Sequence, residues 1–287
     1  MPECQSVDAI PGSREAGTDT YCLPEGGDSG ADRSQAHRQG LAQEAAIAIS
    51  YNGLNHAVMM ATPDNLADFA VGFSISNRVI DSPDQILDIS VDYQQHSACL
   101  EITLVQRALH GLKAMRRNLA GSGSCGLCGT EALQQALLRP PANSIGPNRP
   151  LPPQAHLRSV RERFQQVQKH RHHSGAMHAA LYVSSHGQTL LCREDIGRHN
   201  ALDKLLGACF RQGIALEQGF VAVTSRCGLE LVQKAVRAGV GTLVSLSAPS
   251  DFSVRWARDC GLNLLHQTAR GEGRIYSPAP ESDEERL

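Results

Sequence analysis

The residues best equipped for chemistry are two thiols three positions apart, in Ser122-Gly123-Ser124-Cys125-Gly126-Leu127-Cys128-Gly129. Such a pair can reach one sulfur atom, one metal ion or each other, and the flanking glycines let the backbone curl round whatever is held. Four readings compete. Structural zinc needs four ligands, but the other cysteines are isolated and His170, His172 and His173 lie in a basic run with no second ligand pair. A disulfide oxidoreductase site is expected beside a βαβ unit, whereas this pair follows a small α+β region. An inert pair would sit among apolar residues, not among Gly, Ser and the nearby Arg116 and Arg117. The fourth reading is a nucleophilic thiolate, the species that takes sulfur from a persulfide, favoured by Arg116, Arg117 and helix N–H groups near Thr130. The pattern favours a reactive thiol without naming the reaction.

A second candidate is the run Glu194-Asp195-Ile196-Gly197-Arg198-His199-Asn200-Ala201-Leu202-Asp203-Lys204 at a strand-to-helix junction. Acid, guanidinium and imidazole crowded at a helix N-terminus can orient one another and meet an anion. The competing reading is a capped helix, with Asp195 near its start and Asp203 and Lys204 on its solvent side. His178, just before an apolar strand, is either a functional imidazole or a hydrogen-bonded structural one. Arg270 and Arg274, in the glycine-rich segment His266 to Tyr276, suit phosphate groups; a solvated hairpin would look the same.

Composition narrows the setting. The chain has 287 residues with a net charge of -2 and 41% hydrophobic residues, enough for one large domain or two modest ones. No apolar run approaches the roughly 20 residues of a membrane span. Met1 to Gly40 reads as a disordered tail without the basic start and apolar stretch of a secretory signal, so a cytoplasmic location is expected. Nine cysteines, an odd number irregularly spread, are expected to be reduced and mostly inert. From Ile102 to Arg193 the only acids are Glu131 and Glu162, against twelve Lys and Arg residues. That imbalance suits either a solvated basic face or an anionic partner drawn by a positive field.

The elements that must position these groups can be read from periodicity and turns. Ala45–Tyr51 and Leu54–Ala61 are strands joined by Asn52-Gly53, the pair favoured in a type I′ hairpin. Thr62 is expected to cap a helix in which Pro63 takes the first turn and Leu66, Phe69, Ala70 and Phe73 share a face. Strands Ile86–Val91 and Ala98–Val105 complete a small α+β unit. A single helix is expected from Gln154 to about His170. Beyond it, strands at Ala179–Ser184, Leu190–Arg193, Phe220–Thr224, Thr242–Ser247 and Asn263–Gln267, and helices at Arg198–Arg211, Leu229–Ala238 and Ser250–Cys260, predict a largely parallel sheet. The implied organisation is a tail (1–40), a small α+β domain (41–120), an α/β domain bearing the cysteine loop (121–277) and an acidic tail (278–287).

In order along the chain, these segments resemble the FdhD/NarQ family of formate dehydrogenase accessory sulfurtransferases. The resemblance rests on Tyr51-Asn52-Gly53, Val58-Met59-Met60-Ala61-Thr62-Pro63, Phe69-Ala70-Val71-Gly72-Phe73, Cys125-Gly126-Leu127-Cys128-Gly129, His178-Ala179-Ala180, Glu194 to Lys204, Val232-Gln233-Lys234-Ala235, Ala248-Pro249-Ser250 and Ile275-Tyr276-Ser277. It implies an α/β fold with a cytidine-deaminase-like three-layer domain behind a smaller N-terminal α+β domain, in a homodimer. It also implies transfer of sulfur from a cysteine desulfurase to the molybdenum cofactor, bis(molybdopterin guanine dinucleotide), before its insertion into formate dehydrogenase. Cys125 would be the persulfide position and Cys128 its partner. The cofactor would be contacted by Gln267, Thr268, Ala269, Arg270, Gly271 and Glu272, with Arg274, His178, Arg198 and His199. No metal site, nucleic acid or membrane is implied. Two rivals remain: a cofactor-binding chaperone with docking cysteines, and a zinc deaminase. The latter needs a His-x-Glu or Cys-x-Glu set with Pro-Cys-x-x-Cys, whereas here His178 precedes Ala179-Ala180 and Ser124 precedes Cys125.

Overall fold

The computed structural model describes residues 17–20, 37–120, 145, 149–170, 174–269, 271 and 273–278. Two layered lobes follow from two kinds of sequence pattern.

In the first lobe, strands β3 (Ala45–Tyr51) and β4 (Leu54–Ala61) form the hairpin, with Asn52 at φ 48° and Gly53 at φ 75°. Both values lie in the left-handed region that a type I′ turn requires. Strict alternation in β3 buries Ala45, Ile47, Ile49 and Tyr51 on one face. With β5 (Ile86–Tyr93) and β6 (Ser97–Leu104) the hairpin makes a four-stranded sheet of order β4-β3-β6-β5, in which β3 and β6 run parallel. Helix α1 (Leu66–Ser76) covers the inner face and is buried along almost its whole length. A helix apolar on all sides must be packed on all sides. Helix α2 (Gln106–Ala120) closes the lobe with Ala108 and Leu112.

Thr62 does not cap α1. The N-cap is Asn65, in the left-handed conformation at φ 50° and without a side-chain cap bond, because the Thr62 hydroxyl is engaged elsewhere. Within the stretch read as a disordered tail, β1 (Gly17–Thr20) and β2 (His37–Gly40) pair antiparallel.

The second lobe is a six-stranded sheet of order β12-β11-β10-β9-β7-β8, built from β7 (His178–Val183), β8 (Thr189–Asp195), β9 (Phe220–Val223), β10 (Thr242–Ser245), β11 (Asn263–Gln267) and β12 (Gly273–Ser277). One face carries α3 (Gln154–Arg158) and α4 (Val160–Val167), through Leu157, Val160 and Phe164. The other carries α5 (Arg198–Arg211), α6 (Leu229–Arg237) and α7 (Asp251–Cys260), through Leu202, Leu205, Leu231 and Trp256.

Two expectations are corrected. The sheet is mixed: only β9, β10 and β11 run parallel, while β7 is antiparallel to both its neighbours and β12 to β11. The β7–β8 and β11–β12 connections are too short for helical crossovers, which only parallel neighbours need. The helix expected from Gln154 to about His170 is broken at Ser159 and ends at Val167.

Helices α1 and α5 cross at two glycines. A Cβ at Gly72 would overlap the Asp203 carbonyl, and one at Gly207 would overlap that of Asp68. Removing both side chains lets the backbones touch, which brings the charged ends of the two lobes within bonding distance.

Candidate functional site

Strand register gathers the sequence-flagged residues. Arg193 lies opposite Ala180, Ala180 opposite Val223, Val223 opposite Ser245, Ser245 opposite His266 and His266 opposite Arg274. His178 faces Asp195 one step further out. The carboxyl ends of β8 to β11 therefore share one rim with the start of β7 and of β12. Helices α5, α6 and α7 begin at this rim, with Gly197, Gly228 and Ser250 as their N-caps. Open α/β sheets bind ligands at such rims, where helix N-termini offer N–H groups and positive potential.

The rim places His178, Arg198, His199, Gln267, Thr268, Ala269, Gly271 and Arg274 along one edge, although they are spread over the last third of the chain. Arg270 and Glu272 lie outside the described residues, as do Cys125 and Cys128. Arg198 and Arg274 are exposed. His178 is half-buried, and burial followed by the Arg198 guanidinium pushes its pKa below the ordinary imidazole value, with Asp195 opposing. His199 is also pushed down, chiefly by burial, although Glu230 lies 2.6 Å from its Nε2 and pulls the other way. Both imidazoles are thus held toward the neutral form beside a guanidinium.

At the β11 end, Gln267 Nε2 donates to the Gly271 carbonyl at 2.9 Å and Gly271 N donates to the Thr268 carbonyl at 3.2 Å, closing a tight turn. Gly271 sits at φ 84°, where a side chain would be strained. Arg161 reaches across from α4, its Nη2 donating to the carbonyls of Leu246 and Gln267 at 2.9 and 3.3 Å. His266 Nδ1 and Thr268 Oγ1 are buried with no hydrogen-bond partner among the described residues.

Much of the basic run between Ile102 and Arg193 works inward. Arg163 donates to the Gly187 carbonyl, Arg149 to that of Ile145, and Arg193 to Asp68.

The Glu194–Lys204 segment divides into two roles. Arg198 and His199 face the rim, whereas Asp195, Asp203 and Lys204 bind the lobes together. Glu194 accepts from Gln168, Lys169 and His170 within its own lobe, and neither Asp203 nor Lys204 lies on a solvent face. Lys204 and Asp195 are both 0% exposed in their side chains and 2.7 Å apart. Lys204 Nζ also donates to the Thr62 carbonyl and to Asp64 Oδ1, each at 2.8 Å. Asp64 in turn meets His170 Nε2 at 3.1 Å. Burial alone would raise the Asp64 pKa, but His170 and Lys204 outweigh it and hold the carboxyl down to about 2. The hydrogen bond to Asp64 raises that of His170. A second clamp joins Lys234 Nζ to Asp203 Oδ2 at 2.7 Å and to Ser76 Oγ at 2.9 Å. A third holds Asp68 between Arg193 and Arg211. The sequence reading passed over Asp64, Asp68 and Ser76, whose partners lie more than a hundred residues away.

Three of the five described cysteines are poor candidates for a thiolate. Burial pushes the thiols of Cys192, Cys209 and Cys227 up to about 12, and a thiol that stays protonated is not nucleophilic.

A model of the FdhD/NarQ family matches residues 42–282. The chain belongs to the FdhD/NarQ family. Among curated FdhD proteins, the sulfur carrier protein FdhD of Cupriavidus necator is 39% identical over 83% of this chain and 81% of its own length. That of Variovorax paradoxus is 42% identical over 79% and 81%. Among solved structures, one designated a formate dehydrogenase accessory protein, from Desulfotalea psychrophila, superposes with a TM-score of 0.67. It covers 92% of this chain and 97% of its own, at 19% identity. The α/β fold is thus shared with a structure of far lower sequence similarity than the FdhD relatives. No helix among the described residues is long and apolar enough to cross a membrane.

Proposed function

We propose that this FdhD/NarQ protein carries sulfur on Cys125 from a cysteine desulfurase to the molybdenum cofactor destined for formate dehydrogenase. The Cys125 thiolate attacks the outer sulfur of the desulfurase persulfide; the donor S–S bond breaks, its thiolate leaves, and Cys125 becomes the persulfide. Cys128 then attacks the inner sulfur of that persulfide. A Cys125–Cys128 disulfide forms, the outer sulfur leaves as sulfide for molybdenum, and a thiol reductant restores the pair. The cofactor is cargo here. Its guanine nucleotide end is an anion, and the rim bearing Arg198, Arg274 and three helix N-termini is where such a group would bind. The protein works as a cytoplasmic homodimer in this account.

The observation that carries the structural half of the reading is the convergence of those cations and helix starts on one sheet edge. A zinc deaminase fits less well. His178 is followed by Ala179-Ala180 where that chemistry needs an acid two positions on, and Ser124 stands where it needs Pro before the first cysteine. A pure escort chaperone would share the rim but would not need the thiols.

Guanosine diphosphate, standing in for the nucleotide end, should bind the full chain saturably and more weakly as salt rises. Losing a hydrogen bond to a charged partner costs on the order of 1.5 to 3 kcal/mol, so Arg198→Ala and Arg274→Ala should each weaken binding by about tenfold or more. Equilibrium dialysis reads both numbers. Absence of saturable binding to the unmodified chain would remove the rim from the account.

A further inference from the structure

Thr62 belongs to the small lobe and is 4% exposed, yet all three of its polar groups bond across the lobe boundary. Its N–H donates to Asp195 Oδ2 at 3.0 Å, its hydroxyl accepts from Ile196 N at 3.1 Å, and its carbonyl accepts from Lys204 Nζ at 2.8 Å. The hydroxyl proton points to Met177 Sδ at 3.9 Å. The other Asp195 oxygen accepts from Gly197 N at 2.7 Å and from Asn200 Nδ2 at 3.1 Å, and the same Asn200 amide donates to the Met60 carbonyl at 2.9 Å. The segment Met60–Thr62 thus grips both sides of the turn between β8 and α5.

That turn is where Arg198 and His199 emerge onto the rim. Ile196 and Gly197 have little freedom to move while Thr62 and Asp195 hold their N–H groups. Thr62 makes no hydrogen bond to Arg198 or His199 among those of the described residues, so its hydrogen bonds reach them through the backbone of the turn.

We propose that Thr62 is a positioning residue: from the opposite lobe, it fixes the turn that presents Arg198 to the anionic end of the ligand. This rests on the reading of the rim as a nucleotide site. Thr62→Val keeps the shape and loses the acceptor for Ile196 N–H, while Thr62→Ser keeps the acceptor.

The test measures guanosine diphosphate affinity of the full chain for the unmodified protein, Thr62→Val, Thr62→Ser, Arg198→Ala and the Thr62→Val/Arg198→Ala double variant, with urea midpoints recorded alongside. A lost buried hydrogen bond of roughly 1 to 1.5 kcal/mol, transmitted to Arg198, corresponds to about tenfold weaker binding in Thr62→Val. Thr62→Ser should recover most of it. Once Arg198 is gone, Thr62→Val should add less than about twofold, because the two act through one contact. Equal binding by Thr62→Val and the unmodified protein would overturn the proposal. So would an undiminished Thr62→Val effect in the Arg198→Ala background, which marks a merely structural loss. If the unmodified chain binds no nucleotide, the rim reading itself fails, and the two failures are told apart by that first measurement. Should Thr62→Val not fold, Thr62→Cys, with its weaker acceptor, should show a smaller loss of the same kind and the same dependence on Arg198.

Discussion

Formate dehydrogenase from cells whose only copy of this protein carries Cys125→Ala is expected to be made at normal level and to be as inactive as in cells lacking the protein. The expectation is a complete loss because the persulfide of this account forms on Cys125, and most of the described thiols are buried. Cys192, Cys209 and Cys227 are pushed up to about 12 by burial, and Cys260 is buried. Cys99 is exposed, but on β6 in the outer face of the four-stranded sheet, with no glycine loop around it. A persulfide carrier needs a thiolate on a chain that can approach both donor and acceptor. The chain leaves α2 in the small lobe and returns at Ile145, packed in the core of the large one, with both candidate thiols in the stretch between. Cys128→Ala should still take up sulfur and fail at release. Wild-type activity in the Cys125→Ala strain would show that the thiol is a docking group at most.

The second large effect is on stability. Lys204→Met should cost about 3 to 5 kcal/mol, since removing one partner of a buried ion pair leaves the other charged and desolvated. Asp195 would keep its bonds from Thr62, Gly197 and Asn200, which places the loss toward the lower end of that range. Against a typical total of roughly 5 to 15 kcal/mol, that is a large share. Asp195→Asn should cost less in the Lys204→Met background than alone, because there it also removes the unpaired charge, although its amide NH2 then meets an N–H that the carboxylate had accepted. Urea unfolding gives both values. A loss below about 1 kcal/mol, or strict additivity of the two substitutions, would mean the pair is not the clamp that its geometry indicates.

How far the sequence could be read depended on whether a signal was local. β3, β4, α5 and β11 were legible to their end residues, because alternation or helical spacing ran up to a turn residue or a charged cluster. The Asn52-Gly53 turn was legible for the same reason. The rim residues were legible as types, with His178, Arg198, His199 and Arg274 each beside a strand end. That they share one edge is a property of register, which spacing along the chain does not encode. The capped-helix alternative, with Asp203 and Lys204 on the solvent side, fails because it supposes a helix packed on one side, whereas α5 is packed by the sheet on one side and by α1 on the other. The Thr62 role was invisible because its nearest cross-lobe partner is 115 residues away and a Thr before Pro reads naturally as a cap. Helix α2 was passed over because Gly111 and the interleaved basic residues interrupt its apolar spacing. Residues 121–144, with the cysteine pair, lie outside the described residues, so that part of the account rests on sequence and family alone.

The most direct measurement is the mass of the peptide spanning Cys125 and Cys128 after incubation of the full chain with a cysteine desulfurase and free cysteine. The account predicts the mass increment of one added sulfur atom on that peptide, removed by a thiol reductant and missing in Cys125→Ala. An unmodified peptide under conditions where the desulfurase turns over would contradict it.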